Sequence, residues 1–164
     1  MHSAKVFAEA PSGWLVFTGV PGCGKTHLAV AIASERLRQG DPTLFKFVPD
    51  LLDHLRSTFS PQSSVTYDQL FEQVRTAPLL ILDDLGAHSS TPWAEEKLYQ
   101  IIVHRFEMGL PTVITVRGFL EDLPDAVASR LKDQTLVGLA SIHSSDYRAG
   151  GSRVSRRGPA NRRR

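Results

Sequence analysis

Residues 19–26 read GVPGCGKT, with Gly19, Gly22 and Gly24 gathered just ahead of a cation, Lys25, and a hydroxyl, Thr26. Glycines let backbone N–H groups turn inward around an anion, and the helix that opens at Lys25 adds the partial positive charge of its N-terminus. Gly19, Gly24, Lys25 and Thr26 satisfy G-x-x-x-x-G-K-[ST], the spacing of a phosphate-binding loop. The segment expected to hold ATP is therefore Gly19, Val20, Pro21, Gly22, Cys23, Gly24, Lys25 and Thr26, with His27 following. Lys25 is expected to reach the β- and γ-phosphates, and the Thr26 hydroxyl to bind Mg2+.

A second stretch, LLILDDLG over residues 79–86, ends a strongly apolar run in two carboxylates. Burying such a pair is costly unless something cationic meets it. Asp83 is expected to hold Mg2+ through water, and Asp84 to orient or deprotonate the attacking water. Taken alone, the run could equally be a strand leading into a capped turn. Its place on another strand of the same pattern favours the phosphate reading.

These residues need elements to position them. GWLVFTG, TLFKFV, PLLILDD, PTVITV and TLVGLAS read as short strands. The run before Asp83 is apolar throughout, as a strand covered on both faces should be. KTHLAVAIASERLRQG reads as a helix stopped by Gly40 and Asp41-Pro42, and PDLLDHLRSTF, TYDQLFEQVRT and DAVASRLKD as three more. The longest helix, TPWAEEKLYQIIVHRFEMG, has Thr91 as a cap and Pro92 in its first turn, with Leu98, Ile101, Ile102 and Phe106 on one face. Strands alternating with helices imply an α/β fold, a parallel sheet with helices on both faces. The phosphate loop and the carboxylate pair would meet at the carboxyl ends of their strands.

The composition is that of a water-soluble domain. Of 19 Lys and Arg residues six lie beyond Arg148, while all 17 acidic residues precede Ala149, so residues 1–148 carry a net charge of −4. The basic tail GGSRVSRRGPANRRR has no periodicity and is expected to be disordered, either a solvated terminus or an arm that meets nucleic acid phosphates. No apolar run approaches the ~20 residues needed to cross a bilayer, and no signal peptide opens the chain. Cys23 is the only cysteine, which fits a reducing, cytoplasmic setting. The histidines have no metal-ligand spacing, Glu95 and Glu96 fall in a first helical turn, and Trp14 and Trp93 read as packing residues.

GVPGCGKTHLA, LLILDDLG, WAEEKLYQIIVHRF, LPTVITV and ASRL together resemble the AAA+ ATPase core of the DnaC/DnaI-type helicase loaders and the IstB-type transposition helper ATPases. The resemblance covers roughly residues 11–148. It implies a P-loop NTPase fold of AAA+ type, three layers without a sizeable C-terminal lid domain. The domain plan is then a short N-terminal segment over 1–10, the ATPase domain over 11–148 and the Arg-rich tail over 149–164. It also implies an oligomer when ATP-bound, a replicative helicase or a transposase as partner, and single-stranded DNA nearby. VPDLLDHLRSTF takes the place of the extra helical insertion of the initiator clade. Arg130, which spacing alone would make a surface ion-pair partner, matches the finger that reaches a neighbouring subunit's ATP. Arg148 falls roughly where a second-sensor arginine would stand.

The sequence departs from that family in three places. Only about ten residues precede the core, Arg117 stands at the first-sensor position where a small polar residue is common, and the arginine-rich tail is extra. If Arg117 points at the γ-phosphate, slow turnover is expected; if it points outward, Thr115 is the residue expected to do the polar work there. Three readings follow: a DnaC-like Mg2+-dependent ATPase acting on DNA or a DNA-bound helicase, with an IstB-like helper as its variant; a nucleotide-gated binding protein that barely hydrolyses ATP; and a P-loop small-molecule kinase, disfavoured because no arginine-bearing lid insertion is evident.

Overall fold

Five short apolar runs pair into one parallel sheet: β1 (Trp14–Gly19), β2 (Thr43–Phe47), β3 (Leu79–Leu85), β4 (Thr112–Val116) and β5 (Val137–Ile142). Their order is β2-β3-β4-β1-β5, and each pairing is parallel. This is a computed structural model, and it describes residues 2–143 apart from Pro61, Ser64, Ser89 and Ser90. The expected tail over 149–164, and Arg148, lie outside the described residues.

Side chains alternate along a strand, so each strand feeds two cores. Leu15, Phe17, Ile81 and Val113 face α1 (His2–Glu9) and α2 (Lys25–Arg38), meeting Phe7, Ala29 and Ile32. Val16, Leu80, Leu82 and Ile114 face the other way. There they meet α3 (Val48–Ser57), α4 (Tyr67–Thr76), α5 (Pro92–Glu107) and α6 (Asp125–Leu131). The result is the expected three-layer α/β arrangement.

Two elements differ from the sequence reading. The segment 1–10 holds a helix, α1, which packs on α2: Arg36 Nη1 donates to Ala8 O and Glu9 O, each at 3.0 Å, capping carbonyls that α1 leaves without helical partners. Val48, read as the end of a strand, instead opens α3, since Pro49 in the first turn pre-sets helical φ.

α5 bears the deepest charge in the protein. Thr91 caps it by accepting from Ala94 N at 3.2 Å, and Leu98, Ile101 and Ile102 are buried as the periodicity requires. Arg105 shares that face and is 0% exposed. Its Nε donates to Thr112 Oγ1 at 2.9 Å, its Nη1 to Arg75 O and Ala77 O at 3.1 and 2.8 Å, and its Nη2 to Pro111 O at 2.6 Å. One guanidinium thus ties the end of α4 to the start of β4. With burial unrelieved by a carboxylate, its pKa is pushed down to about 10.

Candidate active site

The loop after β1 is shaped by positions only glycine tolerates. Gly19 has φ +137°, and a Cβ there would lie 2.5 Å from Ile142 O of β5. Gly22 and Gly24 have φ +79° and +101°. Gly24 stands at the N-cap of α2 without a side-chain cap, and the first turn of α2 has no acidic residue. Its amides and dipole are thus left to an anion. Lys25 is 8% exposed, and its ammonium turns into the loop, donating to Gly19 O at 2.7 Å and Val20 O at 3.0 Å. Cys23 is buried with Sγ 3.9 Å from Lys25 Nζ, whereas Val20, Pro21, Thr26 and His27 are exposed at the mouth.

The carboxylates meet this loop from β3. Thr26 Oγ1 lies 3.0 and 3.2 Å from the two carboxylate oxygens of Asp83, which is 5% exposed. The two expected Mg2+ ligands are therefore brought together across 57 positions of chain. Asp84 is half-buried beside them and has φ +64°, the one positive φ outside glycine among the described residues. The pairing of β3 with β4 shifts here, since Leu82 faces Ile114 but Leu85 faces Val116. Three steps on β3 thus match two on β4, a β-bulge that contains both carboxylates.

Thr115, which the sequence offered as the polar residue of this strand should Arg117 point outward, is the β4 side chain that meets the carboxylates. It is 1% exposed. Its hydroxyl donates to Asp83 Oδ1 at 2.7 Å and accepts from the Asp84 backbone N–H at 2.8 Å. In the sequence TVITV both threonines pass as β-branched strand formers. The available signal is a hydroxyl-bearing residue near the carboxyl end of a strand that must neighbour β3.

Arg117 is exposed, and its backbone N–H donates to Leu85 O at 2.8 Å. Arg130 is not gathered with the loop. Its guanidinium lies 5.1 Å over the Tyr99 ring on α5 and donates to Ala126 O at 2.8 Å. Glu95 lies in the first turn of α5 as expected. Trp14 is buried, edge-on to Phe106, with its indole N–H on Leu110 O.

The donor set fits Mg2+. Asp83 is buried, touched by hydroxyls and by no cation among the described residues. Hydroxyl and carboxylate oxygens suit a hard ion, which Thr26 would hold directly and Asp83 through water. Among the described residues no three His, Cys, Asp or Glu side chains cluster to hold a metal by themselves. Mg2+ matches such a site because it keeps waters and takes phosphate oxygens for the rest of its shell.

The profile of the family described as IstB-like ATP binding protein matches residues 7–137. The replicative helicase loader DnaC of Escherichia coli (strain K12) is 28% identical over 123 residues, covering 75% of this chain and 50% of that protein. The replicative helicase loader DnaI of Bacillus subtilis (strain 168) is 33% identical over 99 residues, covering 60% of this chain and 31% of that one. The crystal structure of the DnaC helicase loader superposes with a TM-score of 0.71 at 25% identity, covering 86% of each chain. This chain spans about half the length of the DnaC sequence it matches. The fold is that of a P-loop AAA+ core.

Proposed function

The chain belongs to the IstB-like ATP binding protein family, and from that premise we propose that it is a Mg2+-dependent ATPase whose nucleotide cycle controls a DNA-bound helicase. The observation that carries this is the meeting of Thr26, next to the loop-facing Lys25, with Asp83 from the separate strand β3. The loop amides and Lys25 hold the phosphates, and Thr26 and Asp83 hold Mg2+, which neutralises charge on the phosphate oxygens when bound. Asp84 orients or deprotonates the attacking water. Arg130, on a surface of α5 and α6 away from the loop, acts on a neighbouring subunit's nucleotide in an ATP-bound oligomer. The relatives named as replicative helicase loaders support a helicase as the partner; single-stranded DNA close by and a cytoplasmic setting are part of the same proposal. The IstB-like description of the family supports a transposase as the other candidate partner. Among the described residues no helix is long and apolar enough to cross a membrane.

Lys25→Ala tests the reading. Binding of a fluorescent ATP analogue is expected to fall by more than about 100-fold, because a charge-assisted phosphate contact made in a shielded loop is lost. Wild-type affinity in that variant would show that the loop is not the nucleotide cradle.

A further inference from the structure

The two carboxylates of the site are adjacent in sequence, yet they are given different roles. On a regular strand, neighbouring side chains point to opposite faces of the sheet. The faces along β3 show how this chain departs from that rule. Leu80 and Leu82 belong to the core under α3–α6, Leu79 and Ile81 to the core under α1 and α2. Strict alternation would put Leu85 with Ile81, but Leu85 packs with Leu82. The extra residue lies at Asp83–Asp84, and the left-handed φ of Asp84 is how the strand absorbs it. An aspartate tolerates that conformation better than most residues, and such backbone persists where the surroundings over-determine it.

At the bulge the sheet ladder gives way to a side chain. The Asp84 N–H donates to Thr115 Oγ1, and the proton of that same hydroxyl goes to Asp83 Oδ1. A hydroxyl can do both at once, since it has one proton to give and lone pairs to accept with. Valine has the same shape and can do neither.

We infer that Thr115 is the positioning residue of this site: its hydroxyl locks the Asp83 carboxylate toward Thr26 and holds the Asp84 backbone in the bulge, so that one group sets the metal-side carboxylate and the water-side carboxylate together. Thr115 acts through the two aspartates, its hydroxyl donating to one and accepting from the other. This rests on the Mg·ATP reading of the site.

The test compares wild type with Thr115→Val and Thr115→Ser in the full chain. The readouts are amide exchange at Asp84 by NMR, Mg2+ titration of fluorescent ATP-analogue binding, and steady-state turnover. In Thr115→Val the Asp84 amide exchanges about tenfold faster or more, and the Mg2+ half-saturation rises about fivefold. Its kcat falls about tenfold with KM for ATP within about twofold. A tenfold change is ~1.4 kcal/mol, the net contribution of one hydrogen bond of this kind. Thr115→Ser, which keeps the hydroxyl, stays within about twofold of wild type in all three. A merely structural role would lower the melting temperature without moving the Mg2+ requirement or separating kcat from KM. If the valine chain does not fold, Thr115→Ala takes its place in the same comparison. Wild-type Mg2+ dependence and kcat in the hydroxyl-free variant would overturn the inference, and so would a serine variant as impaired as valine. Wild-type protein that binds no Mg·ATP would instead overturn the reading of the site, and this inference with it.

Discussion

Replacing Arg105 by lysine should cost the fold at least as much as replacing it by methionine, although lysine keeps the charge. The guanidinium satisfies Arg75 O, Ala77 O, Pro111 O and Thr112 Oγ1 at once, and it is wholly buried. Methionine fills the stem's volume but takes the donor from Arg75 O and Ala77 O, each loss costing about 1–3 kcal/mol, while Pro111 O keeps the Leu80 N–H. Some of that is offset because a buried charge disappears, and the burial that pulls the Arg105 pKa to about 10 measures the same penalty from the other side. A net loss of about 2–4 kcal/mol remains. Lysine keeps the charge in the core, but one ammonium cannot reach both the end of α4 and the start of β4 as the planar fork does. For a chain of this size the loss lowers the melting temperature by roughly 10 °C. Thermal unfolding and urea titration of the three chains measure this, and an unchanged urea m-value would assign the change to stability itself. ATP affinity measured well below the transition should hold, because Arg105 grips the end of β4 opposite to Thr115. A lysine variant as stable as wild type would refute the reasoning, since a point charge would then suffice.

Asp84→Asn should bind ATP and Mg2+ within about threefold of wild type while turnover falls at least about 100-fold, because asparagine accepts the left-handed backbone but cannot take a proton; loss of Mg·ATP binding, followed by analogue fluorescence, would mean that Asp84 rather than Asp83 is the metal-side group. Arg130→Ala should leave monomer nucleotide affinity unchanged and lower turnover about 100-fold or more only where chains assemble. Mixing it with Asp84→Asn should restore part of the activity, and no recovery at any ratio would argue against action in trans. Arg117→Asn should leave ATP affinity and turnover within about twofold, since the arginine is exposed and Thr115 is the β4 side chain that meets the carboxylates; faster turnover with weaker binding would show that the guanidinium reaches the nucleotide.

The phosphate loop is legible in the sequence because its function is local. Glycine positions, lysine and hydroxyl lie within eight residues, and the backbone they need follows from their types. Asp83 is legible for a similar reason, as a carboxylate at the end of a run too apolar to bury it alone. Thr115 is legible only as an alternative to Arg117, because its role depends on register: only the bulge between Leu82 and Leu85 brings its hydroxyl to both aspartates. Arg105 lay within reach, since it falls three and four positions after Ile102 and Ile101 on the buried face of α5, but an arginine there normally snorkels out. The helix α1 is hidden by its shortness. Eight residues carry little periodicity, and the helix is supported by Arg36 and by packing on α2, which lies far along the chain.

The strand order has a consequence in time. β1 precedes every other strand, yet its two partners are the last to be made: Trp14 lies opposite Thr112 and Val137, and the Thr18 and Ser141 hydroxyls meet across 123 positions. At about 5–20 residues per second of synthesis, β1 waits roughly 6–25 s on the ribosome for its final neighbour. During that interval Leu15, Val16 and Phe17 stand beside two unpaired backbone edges, the arrangement that invites pairing with another chain. The phosphate loop is translated about a hundred residues ahead of its walls at Gly118 and Ile142. A polypeptide cut before residue 112 would carry the motif in full and lack the cradle, exposing the sticky strand to chaperones and proteases instead.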